Sequence, residues 1–328
     1  MKPRFIALVL GAVVYLLAGA VCARALEIKS IVLTVSDLDR SIAFYQGALG
    51  FSNVGERSAA RMRSATLKLG DETIDLQQYL DSAGAPIPTD GRSNDLWFQH
   101  FAVVVSDMDK AYANLARLPF RAISSAPQTI PASNTAAAGI RAFKFKDPDG
   151  HPLELLYFPA GKGNPKWQRP TDRIFLGIDH SAIAVGDTGR SLQFYRDLLG
   201  LRVAGASLNS GITQEQLDGV PGAVVQVTGL RPDSSSGPGL EFLDYRMPGD
   251  GRPAPADTRP EAIAHVHLVL EVDDLARIAA AIARQGPPPP SPVGPAAPQT
   301  AQHAHPASVR CLIVRDPDGH AVMLVQRE

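Results

Sequence analysis

Histidine is scarce in this chain, at 8 residues in 328, yet three of the eight share one local setting. His100, His180 and His267 each stand seven residues before an aspartate, namely Asp107, Asp187 and Asp274. A fourth aspartate in the same setting, Asp37, has Ser30 at that position. Imidazole is a general base near neutral pH and the commonest metal ligand. A lone histidine is more simply read as a hydrogen-bonded structural residue. Three in one register point to ligand or catalytic use.

The elements that must hold these residues follow from the pattern around them. Each aspartate ends a short apolar run and begins a helical one, where its carboxylate can cap the first free N–H groups. Leu38, Ile42, Tyr45 and Leu49 recur at helical spacing, as do Leu192, Tyr195 and Leu199. The runs before the aspartates read as strands, in which residues two apart share a face. The face opposite the histidines is almost wholly apolar: Ile31, Leu33 and Val35, for example, or Leu268, Leu270 and Val272. That face must lie under the helix, so the histidines point to the other side of the sheet. Strand-like runs such as RSATLKL, ETIDLQQY, RAFKFK and PLELLYF follow, giving a β-α-β-β-β unit.

The unit occurs four times. Residues 35–51 and 185–201 match at Val35/Val185, Asp37/Asp187, Arg40/Arg190, Ser41/Ser191, Phe44/Phe194, Tyr45/Tyr195, Leu49/Leu199 and Gly50/Gly200. Asp-Pro-Asp-Gly-His occurs at 147–151 and again at 316–320. The expected organisation is two homologous halves, 27–160 and 174–328, joined by a polar, Pro/Gly-containing linker at 161–173. Each half holds two units, and the fold class is α+β.

Composition sets outer limits. At 45% hydrophobic and 20% charged the chain is ordinary globular protein, and a net charge of -1 gives no electrostatic footprint for nucleic acid. Residues 1–25 read as a secretory signal peptide. Lys2 and Arg4 precede an uncharged stretch, Phe5 to Ala23, and Ala23-Arg24-Ala25 supplies the small residues of a cleavage site. The expected location is therefore periplasmic or secreted, with no membrane association after cleavage. Cleavage also removes Cys22 and leaves Cys311, which cannot form an internal disulfide; its apolar run, Val309 to Val314, suits burial.

The D-x-x-R-S-hydrophobic-x-F-Y helix and the D-P-D-G-H-x-x-E/M-L hairpin resemble the vicinal oxygen chelate (VOC) superfamily, the glyoxalase, bleomycin-resistance and extradiol-dioxygenase type. The resemblance covers nearly the whole chain after residue 25 and implies two tandem VOC (glyoxalase-like) domains. In that family paired units curve into a cleft, where a divalent metal is held by the first strands and by carboxylates on the last strands. Carried over by position, the first half offers His100, Glu154 and Asp75, with Ser30 at the fourth place. The second half offers His180, His267 and Glu241, with Met323 at the fourth. Each half thus keeps three candidates and loses one, and a complete four-ligand site is not expected in either. Pairing of units within or between halves stays open.

The resemblance implies zinc, iron(II), manganese or nickel acting on a small oxygenated molecule, in a lyase, isomerase or dioxygenase, with Glu154 and Glu241 as proton-moving carboxylates. The alternative is a binding protein that sequesters its ligand without chemistry. Arg141 and Arg310, each six residues before the hairpin aspartate, are candidates for holding an anionic substrate, though solvent-facing strand positions explain them slightly better. His151 and His320 follow a tight turn and read as turn residues. The proline-rich stretch 284–308, with His303 and His305, and its counterpart 119–139 read as stiff loops over the cleft or as surface decoration. A monomer or homodimer is expected. Export argues against a reaction that depends on glutathione, a mainly cytosolic thiol.

Overall fold

The structure is a computed structural model that describes residues 24–82, 84–233, 237–254, 259–284 and 309–327. Most of the expected signal peptide and the proline-rich loop with His303 and His305 lie outside the described residues. Among the described residues no helix is long and apolar enough to cross a membrane.

Four units follow one another along the chain. The first is β1 (Ala25–Thr34), α1 (Leu38–Leu49), β2 (Ser52–Ser58), β3 (Met62–Leu69) and β4 (Glu72–Tyr79). The second is β5 (Phe98–Val105), α2 (Met108–Leu115), the two-residue strands β6 (Arg121–Ala122) and β7 (Gln128–Thr129), then β8 (Arg141–Lys146) and β9 (Pro152–Tyr157). A short 3-10 turn at Pro165–Gln168 links the halves. The third is β10 (Phe175–Ala184), α3 (Thr188–Leu192) running into a π-helical turn, β11 (Arg202–Ser210), the inserted α4 (Ile212–Asp218), β12 (Val224–Arg231) and β13 (Gly239–Met247). The fourth is β14 (Val266–Val272), α5 (Leu275–Arg284), β15 (Val309–Arg315) and β16 (Ala321–Arg327).

The capping aspartates do what their chemistry allows. Asp37, Asp107, Asp187 and Asp274 each accept a backbone N–H from the first turn of their helix. Such a cap contributes about 1 kcal/mol. The apolar strand faces and helix faces meet in one continuous core that includes Leu33, Tyr45, Phe101, Tyr195, Phe242 and Leu270.

The units pair across the halves. One sheet runs β15-β16-β14-β1-β4-β3-β2, so it joins the first and fourth units. The other runs β11-β12-β13-β10-β5-β9-β8-β6, with β7 also on β8, and joins the second and third. The seams are antiparallel, β1 on β14 and β10 on β5. The two halves expected from the repeat therefore exist in sequence, but neither builds a sheet by itself.

Units of one half are tied through their turns instead. The Tyr45 hydroxyl, on α1, donates to Asp147 at 2.9 Å, and Tyr195, on α3's continuation, donates to Asp316 at 3.1 Å. Gly150 and Gly319 take φ of +99° and +98° in these Asp-Pro-Asp-Gly turns, a conformation that favours glycine. His151 and His320 are structural, as expected of turn residues. His151 bridges Asp147 and the Ile263 carbonyl, and His320 meets the Ala184 carbonyl.

Candidate metal centre

The seam of the β5–β10 sheet assembles His100, Glu154, His180 and Glu241. The register explains how. Ala182 lies opposite His100 and beside Glu241, while Ala102 lies opposite His180 and beside Glu154. All six side chains rise from the same face, and the two alanines leave the floor between the four donors low. His100 Nε2 is 3.3 Å from Glu154 Oε2 and 3.2 Å from His180 Nε2. His180 Nε2 is 3.9 Å from Glu154 Oε2 and 3.4 Å from Glu241 Oε2. Donors at about 2.1 Å around a tetrahedral metal stand about 3.4 Å apart, so the spacings among His100, Glu154 and His180 fit one divalent ion, with Glu241 within reach of His180.

The pairing of units that the sequence left open runs between the halves. His267 and Asp75 do not join His180 and His100; they lie on the other sheet, because sheet pairing crosses the halves. There Val32 lies opposite His267 and beside Asp75, and Val269 lies opposite Ser30 and beside Met323. The loss of one ligand per half becomes one full set and one depleted set. Arg141 and Arg310 also stand away from the centre. Each is three strand residues from the position paired with the last-strand ligand (Lys144 opposite Glu154, Ile313 opposite Met323), and so faces the helix side. Arg141 pairs with Asp109 of α2 at 2.8 Å, and Arg310 donates to Gln326 at 3.1 Å.

Both histidines of the full set are oriented through Nδ1. His180 Nδ1 meets Asp179 Oδ2 at 3.1 Å, and His100 Nδ1 meets the side-chain Oε1 of Gln99 in a short contact. Each acceptor fixes the proton on Nδ1 and turns the Nε2 lone pair to the centre. Asp179 is held in turn by Arg231 of β12 and by Trp167 Nε1 at 2.9 Å. Gln99 donates to the Tyr245 hydroxyl at 3.2 Å, and Lys144 binds Asp218 of α4 at 2.7 Å. None of these supporting residues was singled out in the sequence. A signal for two of them was present: Gln99 and Asp179 immediately precede His100 and His180, whereas Val266 precedes His267. Nothing local marks Trp167 or Arg231.

Electrostatics separates the four donors. Burial, helped by Lys144 and His180, pushes His100 down to about 4, against the pull of Glu154. Burial would raise Glu154, but His100, Lys144 and His180 outweigh it and hold it near 2. Burial would lower His180, but Glu241 and Asp179 push it up to about 9. Glu241 is raised above the ordinary carboxylate range by burial and by Asp179 and Glu154. Its side chain stays 29% exposed and lies over Gly229, whose missing side chain leaves it room. A metal ion at this position would compete with a proton for His180.

Comparison with known proteins identifies the family and the fold. Residues 27–155 and 177–324 both match the family model of the Glyoxalase/Bleomycin resistance protein/Dioxygenase superfamily. The chain is 27% identical to lactoylglutathione lyase GLX1 of Arabidopsis thaliana over 53% of its length and 54% of the relative's. It is 25% identical to a probable chloroplastic lactoylglutathione lyase of the same plant, over 53% of this chain and 44% of that one. The matched segment therefore spans about half the length of these curated relatives. In fold, it superposes on glyoxalase I from Zea mays with a TM-score of 0.62 at 18% identity, covering 92% of each chain. A putative dioxygenase from Bacillus subtilis gives 0.55 at 15% identity, covering 93% of this chain and 86% of that one. With both halves matched over most of their length, the chain belongs to the glyoxalase/bleomycin resistance protein/dioxygenase superfamily.

Proposed function

We propose that the protein is a divalent-metal-dependent lyase or isomerase acting on a small molecule that presents two neighbouring oxygens. The observation that carries this reading is the buried cluster of His100, Glu154 and His180, whose donor atoms lie within 4.8 Å of one another, with Glu241 beside His180 at 3.4 Å. Two imidazoles and one carboxylate suit zinc, manganese or iron(II), and Glu241 beside His180 adds a second carboxylate at the edge of the set. When bound there, the ion supplies a Lewis acid that stabilises negative charge developing on the chelated oxygens.

The residues divide the remaining work. Glu154, hydrogen-bonded and backed by Lys144, is fixed in its ionised form. Glu241 is the more exposed carboxylate and the one with its proton affinity raised. It is suited to take a proton from a carbon beside the bound oxygens and return it to a neighbouring carbon. Gln99 and Asp179 hold the imidazoles in one tautomer throughout. The alternative, a protein that sequesters its ligand without chemistry, would use the same cleft and differ in showing no turnover.

The test is metal analysis of the purified chain together with turnover of the adduct of methylglyoxal with glutathione, and of the same aldehyde with other thiols. About one ion per chain, lost in His100→Ala and His180→Ala along with lyase activity, supports the reading. A chain with no tightly bound ion, or oxygen uptake with catechols in place of lyase turnover, overturns it. We also propose export, supported by the pattern of residues 1–25. A mature N-terminus at Leu26 in protein recovered from the periplasm or the medium would bear it out, and an intact Met1 in the cytoplasm would refute it.

A further inference from the structure

A cavity of about 320 Å³ opens where the two sheets meet, bounded by the two Asp-Pro-Asp-Gly-His turns. Its wall on the β5–β10 sheet carries Arg121 and Lys146, directly opposite each other on β6 and β8. Like charges at directly opposed positions repel and destabilise the pair. Among the described residues, neither has a carboxylate within ion-pairing reach. Lys146 Nζ meets the Gly91 carbonyl and Arg121 Nη2 the Thr89 carbonyl, each at 3.3 Å. The nearby acids are committed elsewhere: Asp90 and Asp95 both bind Arg252, and Asp218 binds Lys144. Burial and the neighbouring Arg121 lower the Lys146 ammonium below its ordinary value, the mark of a cation short of counter-charge. Apolar surface from Ile87, Trp97 and Ile123 lies beside the two cations. A volume near 300 Å³ with an apolar wall and a few convergent polar groups is typical of a small-molecule site.

We propose that this cavity is a second ligand site, one that takes a compact organic anion with its carboxylate or phosphate between Arg121 and Lys146 and its apolar body against Trp97. Arg121, Lys146 and Trp97 take no part in the metal centre. The site adjoins that centre through Gln99, which lines the cavity and touches His100. It does not rest on the metal-dependent reading, so the two can fail separately.

Isothermal titration of the full mature chain with phenyl phosphate, phenylacetate and inorganic phosphate tests it. Saturable binding with Kd of about 1 mM or tighter is expected for at least one of the two aromatic anions. Their relative affinity tells phosphate from carboxylate recognition, and weaker binding of inorganic phosphate shows the part of the apolar wall. Arg121→Met and Lys146→Met should each weaken binding by tenfold or more, while His180→Ala leaves it within twofold. Arg121 is exposed, so its variant is expected to fold even if Lys146→Met does not. Absence of saturation by either aromatic anion overturns the proposal. So does binding that survives Arg121→Met, or binding that is lost in His180→Ala.

Discussion

The two sheets share one blueprint and differ at five of six matched positions. Where the β5–β10 sheet has His100, His180, Glu154 and Glu241 around Ala102 and Ala182, the β1–β14 sheet has His267, Ser30, Met323 and Asp75 around Val269 and Val32. The second set is filled as well as depleted. Val32, Val269, Met323 and Val325 form a small apolar cluster of their own where the other sheet keeps its donors. The surviving donors there are engaged sideways. Asp75 accepts from Thr66 at 2.6 Å, and His267 Nδ1 meets His265 Nε2 at 3.1 Å. On the working sheet the position matching Thr66 is Gly229, so Glu241 is not captured by its neighbour strand. A metal centre thus needs floor room and uncaptured carboxylates as much as it needs ligands.

The comparison breaks most visibly at the histidines. His180→Ala and His100→Ala should each reduce bound metal to less than about a tenth of the wild-type content. His267→Ala, its counterpart on the other sheet, should leave metal content unchanged. Elemental analysis after dialysis decides this, and equal losses in all three would erase the distinction drawn between the sheets.

Orientation ranks next. Asp179→Asn keeps the shape but removes the charge behind His180, and should weaken metal affinity by about 10–100-fold in competition with a chelator. The floor gives a similar test. Ala182→Val places on the working sheet what Val32 already is on the other, and overpacking of this kind costs about 1–3 kcal/mol. Metal affinity should fall by about tenfold or more, whereas Val32→Ala should leave it untouched. An Ala182→Val protein with native affinity would show that floor height is irrelevant.

The smallest effect contrasts the two turns. Asp147 is held below the usual carboxylate range: burial opposes its charge, but His151 and Tyr45 outweigh burial. His151 is raised, because Asp147 overcomes the effect of burial. Asp316, in the matching turn, is raised instead, burial being the larger influence. The His151 contribution is fully present below its unfolded value of about 6.5 and is lost as pH rises through the higher folded value. The Asp147 contribution is present above about 3.8 and is lost as pH falls through the lower folded value. His151→Gln should therefore cost most between about pH 4 and 6.5, by about 2 kcal/mol in denaturant unfolding, with the deficit shrinking on the alkaline side. A deficit independent of pH would rule out the ion pair as its source.

Much of the fold was legible because the repeat is carried by residues with narrow roles. Aspartate caps, the Tyr45 and Tyr195 helix faces and the Asp-Pro-Asp-Gly turns each permit few local structures. The four donors were each identifiable from strand period and the family resemblance. Their grouping was not, because a β-α-β-β-β unit presents the same seam edge to either partner, and no local residue states which one it meets. Asp179 and Gln99 were overlooked since a residue next to a ligand normally points to the opposite face. Arg141 and Arg310 misled for the related reason that a charge inside an apolar strand looks like a site, when a three-residue step along the strand had already turned both to the helix side.

The crossing of units between halves also sets an order in time. The working sheet is drawn from one contiguous stretch, β5 to β13, residues 98–247. The other sheet closes only when β14 meets β1, pairing Ile31 with Leu268 across most of the chain. Contacts so distant in sequence form slowly, and a chain made from its N-terminus has the strands of the metal centre in hand before β14 is synthesised. The first strand must wait, unpaired along its seam edge, for nearly the last, so the centre can take shape inside a molecule whose outer sheet is still open.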